Sequence, residues 1–149
     1  MQLSADLREF IGLLNSQDVE YVIVGAHSLA YHARPRYTGD LDILIRPVPA
    51  NADRLLSVLR DFGFSAVTEE ADLTRPGHVI QLGRAPHRID LLTSLSGVTL
   101  DDAFSTKISA SVDGLPVFIL AKEFLIRNKR AVGRPQDLAD LAELEEAAE

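Results

Sequence analysis

The stretch VGAHSLAYHARPRYTGDLDILI, residues 24–45, decides how the rest of the chain is read. It begins at the end of a run, Tyr21 to Val24, that is β-branched and aromatic and too short for a helix, so a buried strand is expected there. Gly25 follows at once and marks a tight turn. Residues 27–33 are expected to form a short helix, ended by Arg34-Pro35-Arg36 because the residue before a proline avoids helical geometry. A second strand should then run from Leu41 to Ile45, with Asp40 at its mouth and Asp42 inside it.

Outward from this stretch, Leu7, Phe10, Ile11 and Leu14 recur at helical spacing behind Ser4, a good N-cap, which predicts an amphipathic helix over 4–16. Asn51 is expected to cap a helix carrying Leu55, Val58, Leu59 and Phe62, with Gly63 in the left-handed position that ends it. Short strands are expected at 64–67, 79–82 and 88–92, and a further pair at 108–112 and 116–119 divided by Asp113-Gly114. Helices at 121–131 and 135–147 should close the chain, the second starting near Pro135, where a missing N–H costs little. The pattern is a mixed sheet with helices, an α/β or α+β fold. With 149 residues, 46% of them apolar, residues 1–149 are expected to form one domain.

The chain has no cysteine, so any metal must sit on oxygen or imidazole ligands. The N-terminus lacks a basic flank and a long apolar run, and no stretch is long enough to cross a membrane, so a cytoplasmic protein without membrane contact is expected. A net charge of −7 argues against broad DNA binding, which needs Lys and Arg against phosphates. Six acids and no bases fall in the last thirteen residues, so the remainder is close to neutral. A basic cluster, Arg127, Lys129, Arg130 and Arg134, precedes that tail and is either a solvated helix face or a clamp for a phosphate-bearing ligand.

Asp40 and Asp42 open an apolar strand, where period-two geometry puts both carboxylates on one face roughly 7 Å apart. Such a pair either ends a turn and faces water or converges on Mg²⁺ (or Mn²⁺), whose hard oxygen ligands it would supply. A strand leading through Gly25-Ala26 into a short helix offers unpaired N–H groups to a phosphate, and Ser28 could add a hydroxyl. Asp90 lies in the apolar segment HRIDLLT, where an ionised side chain needs a partner or a metal unless it points to solvent. His27 and His32 are expected to face solvent or to cap, and His78 and His87 to lie in loops. Together, the glycine turn and the three acids fit a metal-assisted transfer of a nucleotidyl group to a hydroxyl, with pyrophosphate leaving.

With these pieces in order, the sequence resembles the minimal nucleotidyltransferases of the DNA polymerase beta superfamily, in particular small bacterial proteins related to abortive-infection and toxin–antitoxin nucleotidyltransferases. The matching segments are VGAHSLAYH, RPRYTGDLDILI, RIDLL and LIRNKRAVGRPQDLADLAEL, which span nearly the whole chain. The resemblance implies that Asp40, Asp42 and Asp90 bind metal and carry catalysis. It places the nucleoside triphosphate on Gly25, Ala26 and Ser28, on Arg36 and Thr38, and on Lys129 and Arg134, with Asp137 anchoring the last helix. The acceptor hydroxyl would belong to a protein, an RNA end or a small molecule. Ala26 stands where the superfamily commonly has serine or glycine, so a second class stays open: a binding module of the same fold, such as a toxin–antitoxin component acting by partner binding.

Overall fold

Ser4 accepts a hydrogen bond from the Leu7 N–H and starts α1, Ala5–Ser16, whose buried stripe is Leu7, Phe10, Ile11 and Leu14 as the spacing requires. The computed structural model describes residues 1, 3–33, 39–64, 69–83 and 88–146. After α1 come β1 (Tyr21–Val24), α2 (Gly25–His32), β2 (Leu41–Ile45), α3 (Pro49–Phe62) and α4 (Glu70–Thr74). The chain continues through β3 (Val79–Leu82), β4 (Ile89–Leu92), α5 (Leu100–Ser105), β5 (Ile108–Val112) and β6 (Leu115–Ile119) to α6 (Lys122–Val132) and α7 (Pro135–Glu146).

Among the described residues the strands form one six-stranded mixed sheet in the order β3-β4-β2-β1-β6-β5. Strands β1 and β2 are antiparallel, whereas β2 with β4 and β1 with β6 are parallel. Side chains alternate between two faces, so each face has its own core. Tyr21, Ile23, Leu41, Ile43, Ile45, Ile89 and Leu91 pack with the apolar stripes of α1 and α3. On the other face Val22, Val24 and Leu44 meet Leu29 of α2, Phe104 of α5, Phe124 and Leu125 of α6, and Leu144 of α7. The fold is α/β, as the alternation of elements indicated.

Two expectations change. Helix α3 begins at Pro49, before the expected cap, and Asn51 lies buried in its first turn. The Asn51 amide accepts from the Glu20 N–H at 2.7 Å and donates to the carbonyls of Glu20 and Arg46, both at 3.0 Å. It therefore ties the start of β1 to the end of β2, a long-range task that local capping signals do not reveal. Helices α4 and α5 were not expected; α5 is only six residues long and is set by Thr99, whose hydroxyl accepts from the Asp102 N–H. The strand expected at 64–67 lies, from residue 65 onward, outside the described residues.

Candidate functional site

The register of the sheet builds the site. Val24 on β1 pairs with Asp42 on β2, and Asp42 pairs with Asp90 on β4, so the three form one row across adjacent strands. Period two places Asp40 and Arg88 next to this row on the same face, which is also the face that α2 and α6 cover. Asp42 and Asp90, separated by nearly fifty residues in sequence, are thus immediate neighbours.

Gly25 explains how β1 turns into α2 beside such a row. Its φ is +66°, a conformation that side chains other than glycine's rarely adopt. A Cβ there would collide with Asp42 Oδ2 and lie 3.0 Å from the Asp42 Cβ. The glycine is therefore the space in which the Asp42 carboxylate sits. Helix α2 has no side-chain cap, so its N-terminal N–H groups have no capping side chain as a partner.

Val24, Gly25, Ala26, Asp40, Asp42 and Asp90 line an open cavity of about 520 Å³. Lys129, Arg134 and Asp137 line the same cavity, whose size is within the range of small-ligand sites. The loop after β4 adds Ser94 and Ser96, and is fastened to α6 by the Asn128 amide donating to the Ser96 carbonyl at 2.9 Å. Of the other residues implicated by sequence, Ser28 is fully buried and does not line the cavity, while Arg36 and Thr38 lie outside the described residues.

The cations are not free-standing. Lys129 is 7% exposed, and its ammonium contacts Asp137 at 3.3 Å and Asp140 at 3.0 Å, so the solvated helix face considered from sequence is corrected to a buried ion pair. Arg134, largely exposed, grips Asp137 through Nε at 2.8 Å and Nη2 at 3.3 Å, and its backbone N–H donates to the same carboxylate. The Arg134 hydrogen bonds and then Lys129 bring the Asp137 carboxyl down to about 2. Asp137, in the first turn of α7, thus holds both cations beside the cavity they line.

His27 and His32 also differ from expectation. The His27 ring is 1% exposed, and burial, opposed by the neighbouring Asp40 backbone, lowers its pKa, which favours the neutral ring. His32 is half-buried, with Nε2 2.7 Å from the Leu120 carbonyl. Both imidazoles belong to the packing of α2.

Sequence reasoning passed over Arg88. Its Nε donates to Asp90 Oδ1 at 2.9 Å and its Nη2 to Asp90 Oδ2 at 3.1 Å, while Nη2 also lies 3.6 Å from Asp40 Oδ2. The available signal was its position two residues before Asp90 in a strand, which puts both on one face. As the carboxylates stand, no metal-ready cluster of acids and histidines exists among the described residues. The donor set itself, three carboxylates on neighbouring strands, suits a hard divalent cation.

Burial, and next the adjacent Asp90, raise the Asp42 carboxyl to about 6. An acid whose folded pKa is raised from 3.8 to about 6 keeps its proton in the folded state after the unfolded chain has released it. Its contribution to stability is full below the unfolded value and is lost as pH rises to the folded one. In chelator-treated protein, the melting temperature of Asp42→Asn minus that of wild type should therefore climb between about pH 4 and pH 6 and level off above. A difference that stays flat over that window would show that neither burial nor Asp90 raises the Asp42 carboxyl.

No protein-family model matches the sequence, and no curated protein matches it. Solved structures do. A nucleotidyltransferase candidate from Thermotoga maritima superposes with a TM-score of 0.63 at 18% identity, over 94% of this chain and 90% of that one. The lincosamide antibiotic adenylyltransferase LnuA, solved with lincomycin bound, gives 0.61 at 11% identity over 97% of this chain and 98% of its own. The antibiotic-resistance factor ANT(2″)-Ia in complex with adenylyl-2″-tobramycin gives 0.58 at 11% identity, over 95% and 86%. At these identities the likeness is one of fold, and the fold is that of the nucleotidyltransferases.

Proposed function

We propose that this protein is a nucleotidyltransferase that binds a nucleoside triphosphate with Mg²⁺ or Mn²⁺ and moves the nucleotidyl group to an acceptor hydroxyl. The observation that carries this reading is the row Val24, Asp42 and Asp90, with Gly25 making room for Asp42 at the start of α2 and all of them on one cavity. Asp42 and Asp90, with Asp40 at the edge, would hold the metal. When bound, it would neutralise phosphate charge and orient the triphosphate for in-line attack.

The chain's own groups supply the rest. The N–H groups opening α2 at Gly25 and Ala26 would bind phosphate oxygens, and Lys129 and Arg134, which line the same cavity, would meet the departing pyrophosphate. The acceptor oxygen forms its bond to the α-phosphorus as the bond from that phosphorus to the pyrophosphate oxygen breaks, and the hydroxyl proton passes to the carboxylate of Asp90. Ser28 would act only through packing under α2, since it does not line the cavity.

A small molecule is the acceptor best supported. Two of the matching structures hold antibiotic-derived ligands, and LnuA and this chain cover each other almost completely. The net charge of −7 weighs against an RNA acceptor. A second reading, the same fold serving only to bind a protein such as a toxin–antitoxin partner, is favoured by the pairing of Arg88 with the acids. Among the described residues no helix is long and apolar enough to cross a membrane.

Thermal unfolding separates the two readings. Wild type with Mg²⁺ and one of the four NTPs should melt several degrees higher than without them, and Asp42→Asn should show no such rise. No rise in wild type with any NTP at millimolar concentration would favour the partner-binding reading.

A further inference from the structure

Arg88 engages two of the carboxylates to which the proposed function gives the metal. Its guanidinium engages both oxygens of Asp90, at 2.9 and 3.1 Å, and reaches Asp40 with the same Nη2 that it directs at Asp90. This is a fork-to-fork pairing, the strongest geometry available to an arginine and a carboxylate. Asp42, the remaining acid, lies directly beside Asp90 in the row. A divalent cation bridging Asp42 and Asp90 must take at least one Asp90 oxygen, and each of those oxygens already accepts a hydrogen bond from Arg88.

The arrangement also accounts for why three acids can gather on one partly covered sheet face. The Arg88 guanidinium counters the repulsion among them from within. Unlike Lys129, whose side chain is 9% exposed with its ammonium held by Asp137 and Asp140, the Arg88 side chain is 34% exposed and can leave without opening the core. Asp90, at 11%, cannot follow it into water.

We infer that Arg88 is a displaceable internal cation that competes with divalent metal for Asp90, so that loading the site requires its guanidinium to swing away. This rests on the proposed metal–nucleotide reading of the same acids and assigns a regulating residue to it. Arg88 acts through Asp90 and is a positioning residue. Once displaced it remains tethered at the start of β4, beside the cavity, where the negative charge of a triphosphate offers it a new partner. Metal alone should therefore bind poorly.

The test is Mn²⁺ binding without nucleotide, read from the free-ion electron paramagnetic resonance signal. Arg88→Gln should bind Mn²⁺ about tenfold more tightly than wild type, the size expected for losing one charge-assisted pairing that is partly open to solvent. Arg88→Lys, which keeps the charge but not the fork, should fall between them, and serves if the glutamine variant does not fold. Adding Asp42→Asn to either variant should remove the gain. If wild type binds Mn²⁺ in an Asp42-dependent way and neither Arg88 variant binds it more tightly, Arg88 is no competitor, while the proposed function survives. If no form binds Mn²⁺ through Asp42, the metal site and this inference fall together.

Discussion

Gly25→Ala should lower stability by about 2–4 kcal/mol and abolish metal-supported nucleotide binding, combining a forced positive φ with overpacking. For a chain of this size that corresponds to a melting temperature lower by roughly 5–15 °C. The cause is specific: φ at Gly25 is +66°, and the new methyl would meet the Asp42 carboxylate. A double variant makes the mechanism visible. Asp42→Ala removes the carboxylate that the methyl strikes and leaves only the Cβ at 3.0 Å, so Gly25→Ala should cost less stability in that background than in wild type, a coupling expected of contacting residues. Equal costs in both backgrounds would mean that the glycine serves only the turn. Wild-type nucleotide affinity in Gly25→Ala would remove the turn from the site.

The second large effect is expected at Lys129. Its ammonium lies between Asp137 and Asp140, each about 1% exposed, and Lys129→Ala withdraws the positive charge from both. Breaking a buried pairing by removing one partner costs about 3 kcal/mol or more, although Arg134 still grips Asp137 and Gln136 still donates to Asp140. Thermal unfolding without ligand should fall by roughly 10 °C. Neutralising one acid as well, with Asp140→Asn, should recover part of the loss. A change of less than about 1 °C would place Lys129 among ordinary surface positions instead. Loss of nucleotide binding in this variant is interpretable only beside the melting data, since the same residue supports the fold and borders the cavity.

The strands and long helices were legible because their signals are local. The stripe of α1, the apolar run of β1, the left-handed Gly63 and the Asp113-Gly114 turn between β5 and β6 each announce themselves within a few residues. The acids could be singled out from the sequence, but that Asp42 and Asp90 lie side by side depends on the pairing of β2 with β4, which no local signal gives. What stayed hidden depends on distant partners. Asn51 reads as a cap until the Glu20 and Arg46 backbones are seen to occupy its amide. Lys129 reads as solvated until α7 folds Asp137 and Asp140 against it. His27 and Ser28 sit in a helix too short for its buried face to be inferred, and both are enclosed. Arg88 differs, because alternation alone puts it on the face of Asp90; only its contact with Asp40, a residue on another part of the chain, required the structure.

The pairing of these residues also orders the proposed events at the site. Before metal arrives, Arg88 balances the acids and Asp42 resists ionisation because it is buried beside Asp90. The N–H groups at the start of α2 lie on the same cavity and are provided by the backbone, so Ala26 in place of a serine removes a hydroxyl without removing them. Catalysis would then depend on whether a triphosphate and metal together release Arg88, which couples substrate arrival to site assembly.

Crystals of the protein soaked with Mn²⁺ and a non-hydrolysable nucleoside triphosphate analogue test the central claim most directly, because manganese is located by its anomalous scattering. The account predicts a manganese peak coordinated by Asp42 and Asp90, phosphate oxygens on the N–H groups at Gly25 and Ala26, and the Arg88 guanidinium turned away from Asp90. A nucleotide bound elsewhere, or manganese absent from those carboxylates while Arg88 keeps both Asp90 oxygens, would contradict it.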